Sequence, residues 1–297
     1  MSPSGKVVVI GGASWNSMIY VDTYPTAAPA TVRPRRWHDT IGSSGAGKAL
    51  NLARLGVPVS LHARIGDDED GRRVREALDA GGVDLVAEPV AGATTRHVNV
   101  MDLKGRRVSF LLAPTAGDQA LDLGAVEPLV AAADVVLLEI VDHARHVIPL
   151  AQRHRKPVWT DLHSYDGVRS HERDFIDASE VVFLSGDRIG DPRPFMERTH
   201  ANGARLVVCT LADEGAIALT ADGWHEVPAE PVGAVIDTNG AGDAFAAGVL
   251  FGELRGVPLP IALRMGARAA ALAVGSPELA SAQLSADRLL ALQGPNG

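Results

Sequence analysis

Apolar positions up to residue 211 gather in short runs: "KVVVIG", "PVSLHAR", "DVVLLEI", "KPVWTDL", "EVVFLS" and "RLVVCTL". Between them lie longer amphipathic stretches such as "EDGRRVREALDAGG", "DHARHVIPLAQRH" and "DPRPFMERTHANG". A strand covered on both faces needs no polar alternation, so such runs rich in Val, Ile and Leu predict a mostly parallel sheet, and the stretches between them predict covering helices. The expected class is α/β: a doubly wound, mostly parallel sheet flanked by helices, as one domain over residues 1–297. Two regions break the rhythm. "NSMIYVDTYP" with "TVRPRRWHDTI", and "TRHVNVMDLKGRRVSFLL" with its Lys104-Gly105 turn, read as hairpins with one covered face. They predict a small β lid, with strands at about 16–41 and 95–112, over the carboxyl edge of the sheet where open α/β folds bind ligands.

The remaining numbers narrow the function. With 46% hydrophobic and 22% charged residues, the 297-residue chain is composed as an ordered globular protein. A net charge of −8 argues against binding nucleic acid or an anionic membrane, both of which need clustered Lys and Arg. The single cysteine, Cys209 in "LVVCTL", has no internal partner and reads as a small buried thiol. The first apolar run is too short for a leader and no stretch is long enough to span a bilayer, so a cytoplasmic location is expected.

Two glycine-rich stretches carry candidate chemistry. In "IGSSGAGKALN", residues Gly42, Gly47 and Lys48 match a nucleotide-triphosphate loop, but Ala49 stands where a hydroxyl would ligate Mg²⁺, and the preceding "RPRRWHDT" is too charged for a buried strand. In "DTNGAGDAFAAGVL", a Gly-Ala-Gly turn opens onto a helix. Unpaired amides and the positive end of the helix dipole then converge at Gly240, Ala241 and Gly242 as an anion hole. Asp243 stands where it can take a proton from an attacking hydroxyl, although an acidic residue at a helix start can also serve only as a cap.

The block "DTNGAGD", with "VVVIGG", "GSSGAGKALNLARLG", "ARIGDDEDGRRVREALDAGGVD", "LLE" at Glu139 and "TLADEGA" from Thr210, resembles the ribokinase-like, or PfkB, carbohydrate kinase family over nearly the whole chain. The resemblance implies a ribokinase-like fold and an ATP-dependent phosphotransferase acting on a hydroxyl of a small sugar or sugar-like molecule. It makes Asp243 the catalytic base and Gly240, Ala241 and Gly242 the anion hole. It turns the opening glycine block into an acceptor loop: Gly42, Ser43, Ser44, Gly45, Gly47 and Lys48 would bind the substrate together with Asn16 and Asp237, the latter beside a monovalent cation such as K⁺. Ser185, Thr210, Asp213 and Gly215 would bind the nucleotide, and Glu139 and Asp187 would lie on the Mg²⁺ side. A homodimer through the lid is a further expectation, and a nucleoside kinase of the same fold or a non-catalytic sugar-binding sensor are the alternatives. Several positions depart from the family pattern. Asn16 replaces a sugar-gripping Asp, Gly47 replaces an Asn, Ala212 replaces a Gly, and the N-x-x-E block reads Ser185-Gly186-Asp187-Arg188.

Overall fold

The computed structural model describes residues 5–103, 105–114 and 120–293. Thirteen strands are described: β1 Val7–Ile10, β2 Ser14–Tyr20, β3 Arg36–Gly42, β4 Val59–Gly66, β5 Asp84–Val90, β6 Arg96–Met101, β7 Arg107–Ala113, β8 Val135–Glu139, β9 Val158–Asp161, β10 Val181–Ser185, β11 Leu206–Thr210, β12 Ala216–Thr220 and β13 Gly223–Val227. The helices are α1 Ser44–Arg54, α2 Glu69–Ala80, α3 Leu123–Ala132, α4 Asp142–Arg145, α5 Ile148–Arg153, α6 Arg173–Ala178, α7 Arg193–Ala201, α8 Ala241–Leu254, α9 Leu259–Val274 and α10 Ala286–Leu290.

Nine strands form one sheet in the order β13-β12-β11-β10-β9-β8-β1-β4-β5, parallel from β11 to β5. Alternation along β1 shows why its sequence carries no polar position. Val7 and Val9 join the core under α1, α8 and α9, whereas Val8 and Ile10 join the core under α3 and α5 on the opposite face. The six apolar runs of the sequence are β1, β4, β8, β9, β10 and β11. Three strands of this sheet escaped the sequence reading: β5 and β13 are only partly covered, and β12 is a short run broken by two alanines. Strand β5 is the outer edge beyond β4, which is where its Pro89 is tolerated, and β12 and β13 form an antiparallel hairpin at the other edge.

The second sheet, β3-β2-β6-β7, is the lid. Its strands begin and end within two residues or so of the expected ranges, and Lys104 of the expected turn lies outside the described residues. Paired residues share a face, so the register sorts the lid into two surfaces. Asn16, Met18 and Tyr20 pair with His97, Asn99 and Met101 on one face, while Trp37, Ile19, Val100 and Val108 align on the other. Trp37 therefore points away from the cleft side, and Trp15, on its face, packs against the main core beside Arg73.

Candidate active site

The segment Asp237–Gly240 delivers the chain to α8. Gly240 has φ 80, a left-handed conformation that costs glycine little, and this turns the backbone so that α8 starts with its amides facing the cleft. Among the described residues the amides of Gly240, Gly242 and Asp243 take no backbone partner, and that of Ala241 reaches the Thr238 carbonyl only at 3.4 Å. The amides facing the cleft therefore run from Gly240 to Asp243, the expected Gly240–Gly242 turn with one residue added. Asp243 lies in the first turn of α8 and is buried.

What meets Asp243 was not legible in the motif. Lys48, inside α1 and wholly buried, places Nζ 2.6 Å from Asp243 Oδ1, 2.9 Å from Glu139 Oε1 and 2.9 Å from Asp161 Oδ2. His163 completes the group, with Nε2 2.9 Å from Glu139 Oε2 and its backbone amide donating to Asp161 Oδ1 at 2.9 Å. Glu139, Asp161 and Asp243 come from β8, β9 and α8, so three elements converge on one ammonium. Gly47 makes the approach possible: a Cβ there would stand 2.5 Å from Asp243 Oδ2, too close for a side chain of any kind. The glycine in place of the family's Asn and the lysine beside it are therefore one structural change.

Charge follows this geometry. Burial would push the Lys48 ammonium toward neutrality, yet Asp161, Asp243 and Glu139 outweigh it and hold its pKa well above the ordinary lysine value. Burial raises and Lys48 lowers the carboxyls of Glu139 and Asp161, and for both the cation wins. Asp243 ends above the ordinary aspartate value, because burial and Glu139 push it up more than Lys48 pulls it down. Despite burial, His163 is pushed up to about 9 by Asp161 and Glu139 and is a cation at neutral pH.

These contacts change two expected roles, that of Lys48 toward the acceptor and that of Glu139 toward a metal. Lys48 is neither a phosphate-loop lysine nor open to an acceptor, since its ammonium is enclosed by carboxylates within the core. Glu139 is held at both oxygens, by Lys48 and His163, so it is not free to serve a metal. Asp161, His163 and Asp243 have ligand atoms within 4.8 Å of one another, but Lys48 Nζ already sits on two of the three, a poor setting for a second cation. Asp161 and His163 were missed by sequence reasoning. Their signal was two polar residues closing the apolar run "VWTDLH", at the strand end where ligands bind.

On the lid side, Asn16 is buried and packed against Gly42, and among the described residues neither its Oδ1 nor the Ser14 hydroxyl beside it has a hydrogen-bond partner. Buried polar atoms left open in this way are suited to a ligand's hydroxyls. Ser43 adopts φ 76, strained for a residue with a Cβ, and Ser44 opens α1 directly after it. Gly45 is a packing residue, because a Cβ would strike the backbone of Gly12. Asp237 is buried and accepts from the Tyr20 hydroxyl and the Asn239 amide, so it braces the turn before α8.

The expected nucleotide residues lie at neighbouring strand ends. Ser185 pairs in register with Thr210, and the exposed turn Ala212–Glu214 follows, with Asp213 open to solvent. Gly215 has φ 99 and is buried against β13, so it shapes the entry to the edge hairpin. Asp187 is exposed, accepts from the Ser164 hydroxyl at 2.9 Å and is held below its ordinary pKa by Ser185 and Ser164 in spite of partial burial. An ionised, exposed carboxylate fits a divalent ion arriving with nucleotide phosphates better than the enclosed Lys48 group does.

A buried carboxylate beside free helix-terminal amides, a lid on one side and open strand ends on the other suit the chemistry of phosphoryl transfer. Comparison with known proteins agrees. The chain matches the description "pfkB family carbohydrate kinase" over residues 4–286. It is 34% identical over 288 residues to acarbose 7(IV)-phosphotransferase of Actinoplanes sp., covering 93% of this chain and 94% of that protein. It is 30% identical over 225 residues to fructokinase of Rhizobium leguminosarum bv. trifolii, 68% of each chain. The solved structure of the microbiome-derived acarbose kinase Mak1 superposes with a TM-score of 0.87 at 25% identity, over 97% of this chain and 98% of that one. The protein belongs to the PfkB family of carbohydrate kinases.

Proposed function

We propose that the chain, acting as one kinase unit, transfers the γ-phosphoryl group of ATP to a hydroxyl of a sugar or sugar-like acceptor, with Asp243 as general base. The observation that carries this is the juxtaposition of the buried Asp243 carboxylate with the unpartnered amides of Gly242 and Asp243 at the start of α8. The acceptor lies between the lid face of Asn16 and the carboxylate. Its hydroxyl proton passes to Asp243 as its oxygen bonds to the γ-phosphorus, and the bond from phosphorus to the bridging oxygen breaks with its electron pair leaving on ADP. The α8 amides stabilise the charge on the transferred group. The nucleotide occupies the ends of β10 and β11 around Ser185 and Thr210, with Mg²⁺ carried on its phosphates near Asp187, neutralising phosphate charge. A monovalent cation belongs to the loop around Asp237, and the lid's outward face supports a homodimer.

Acarbose and related oligosaccharides stand first among acceptors to try, given the two acarbose kinases among its relatives. The test is ADP release with ATP and Mg²⁺ over a panel of monosaccharides, acarbose, other oligosaccharides and nucleosides. Transfer to a sugar supports the reading, preference for a nucleoside replaces it with nucleoside kinase activity, and binding without transfer replaces it with a sensor.

A further inference from the structure

We propose that Lys48 is a positioning residue for catalysis, an internal counter-ion that fixes one oxygen of Asp243 and keeps that carboxylate charged, so that Oδ2 alone receives the acceptor's proton. The proposal rests on the reading of Asp243 as the base. It begins with what surrounds the ammonium. The charged groups around Lys48 are Glu139 from β8, Asp161 from β9, His163 from the segment after it and Asp243 from α8. With all of them charged, three carboxylates meet two cations.

Removing Lys48 would leave three buried carboxylates facing His163 alone, and His163 touches only Glu139 and Asp161. The excess proton would settle on Asp243, the carboxylate that has no other cation within ion-pair reach among the described residues. A protonated Asp243 cannot accept a proton, so the enzyme would wait for higher pH. With Lys48 present the 2.6 Å ion pair favours the charged carboxylate, while burial and Glu139 keep it more basic than an ordinary aspartate, as suits a general base. Geometry contributes as much as charge. The 2.6 Å contact holds Oδ1 to Nζ, and Gly47 leaves the side of Oδ2 without a Cβ, so the carboxylate has one orientation and one free oxygen. Lysine's neighbour at position 47 must stay small for this arrangement to exist.

The experiment compares the pH dependence of kcat/KM for the acceptor in the wild type and in Lys48→Met. The expected result is an acidic limb moved upward by at least about one pH unit, a fall of about tenfold or more at pH 7, and ATP affinity by calorimetry within about threefold of wild type. A folded Lys48→Met with the wild-type limb overturns the proposal, as does a loss of rate that is equal at every pH, the signature of a merely structural lysine. Should the single variant not fold, Lys48→Met/Glu139→Gln removes one charge of each sign and is read in the same way.

The unsubstituted protein gives a second reading that needs neither a variant nor an acceptor. In ¹⁵N-lysine-labelled protein the four lysines report separately. One ammonium should stay protonated and slow to exchange at a pH above about 10.4, where a free lysine in solution has lost its proton. Four lysines titrating together overturn the proposal. If the wild type phosphorylates nothing on the panel, the proposed function fails while this titration still decides the state of Lys48.

Discussion

The Tyr20 hydroxyl donates a 2.7 Å hydrogen bond to Asp237 Oδ2, joining the lid to the segment before α8 across 217 positions of sequence. The next two residues are tied to the lid as well. The Thr238 hydroxyl donates to the Gly105 carbonyl at 2.7 Å, and the Arg107 guanidinium donates to the Asn239 side-chain carbonyl. Lid and anion hole therefore form one hydrogen-bonded unit, and a displacement of the lid displaces the amides that open α8.

Tyr20→Phe tests this linkage. Burial and Asp237 both push the phenol's pKa up, so it remains a donor at every working pH. Its loss removes one partner from a buried carboxylate, which costs on the order of 1–3 kcal/mol. Thermal unfolding should show a lower midpoint. In kinetic assays KM for the acceptor should rise and kcat fall several-fold, with ATP affinity nearly unchanged, and wild-type values in both would mean that the lid and the turn move independently.

His163 makes stability depend on alkaline pH. Its folded pKa of about 9 lies above the unfolded value of about 6.5, so its contribution is fully present below about pH 6.5 and is lost as pH rises through 9. The imidazole is 34% exposed, and solvent screening holds the effect to about 1 kcal/mol. Asparagine is the apt replacement, because His163 has φ 51 and Asn tolerates the left-handed region. Wild type should lose thermal stability between pH 7 and 9.5 more steeply than His163→Asn. Parallel curves would show that the imidazole is already neutral at pH 7.

The outer lid face carries Trp37, Val108, Phe110 and Leu112, all exposed, and both of its outermost strands, β3 and β7, are edges. An apolar face bounded by unpaired strand edges favours a second copy of itself. Light scattering at micromolar concentration should report a dimer, and Phe110→Glu should convert it to a monomer without changing the fold. A wild-type monomer well above assay concentrations removes the idea.

Legibility in the sequence followed locality. The runs that became β1, β8, β10 and β11 announced themselves because strands covered on both faces need few polar residues, whereas β4 buries Ser60, His62 and Arg64 between its apolar positions. Strand β13, "GWHEV", is only partly covered and reads like the loops around it. Asp243 was legible because the turn that presents it is contiguous with it. The destination of Lys48 was not, since its partners at 139, 161 and 243 are assembled by the parallel order of β8 and β9 and by α8 returning over the sheet. Position 47 held the one usable hint: a glycine at that place beside an unusual lysine means that a large group must come close.

Asp243→Asn should fold, bind both ligands and turn over very slowly. The amide keeps the shape of the side chain, and Lys48 retains Glu139 and Asp161 when the charge at 243 is removed, so the core stays paired. ATP binding should survive because the anchors proposed for it are the backbone amides that open α8 and the strand ends at Ser185 and Thr210, none of which the substitution alters. Removing a negative charge near the phosphates also relieves repulsion, so affinity for ATP should stay equal or rise slightly. What is lost is the group that takes the hydroxyl proton, and absence of a positioned base costs about 10²–10⁴ in rate. Turnover and calorimetric ATP binding measured side by side on wild type and variant decide the matter. Near-normal turnover in Asp243→Asn would move the base to another residue and remove the mechanism built on α8, whereas lost ATP binding would show that the carboxylate, rather than the amides, organises the nucleotide.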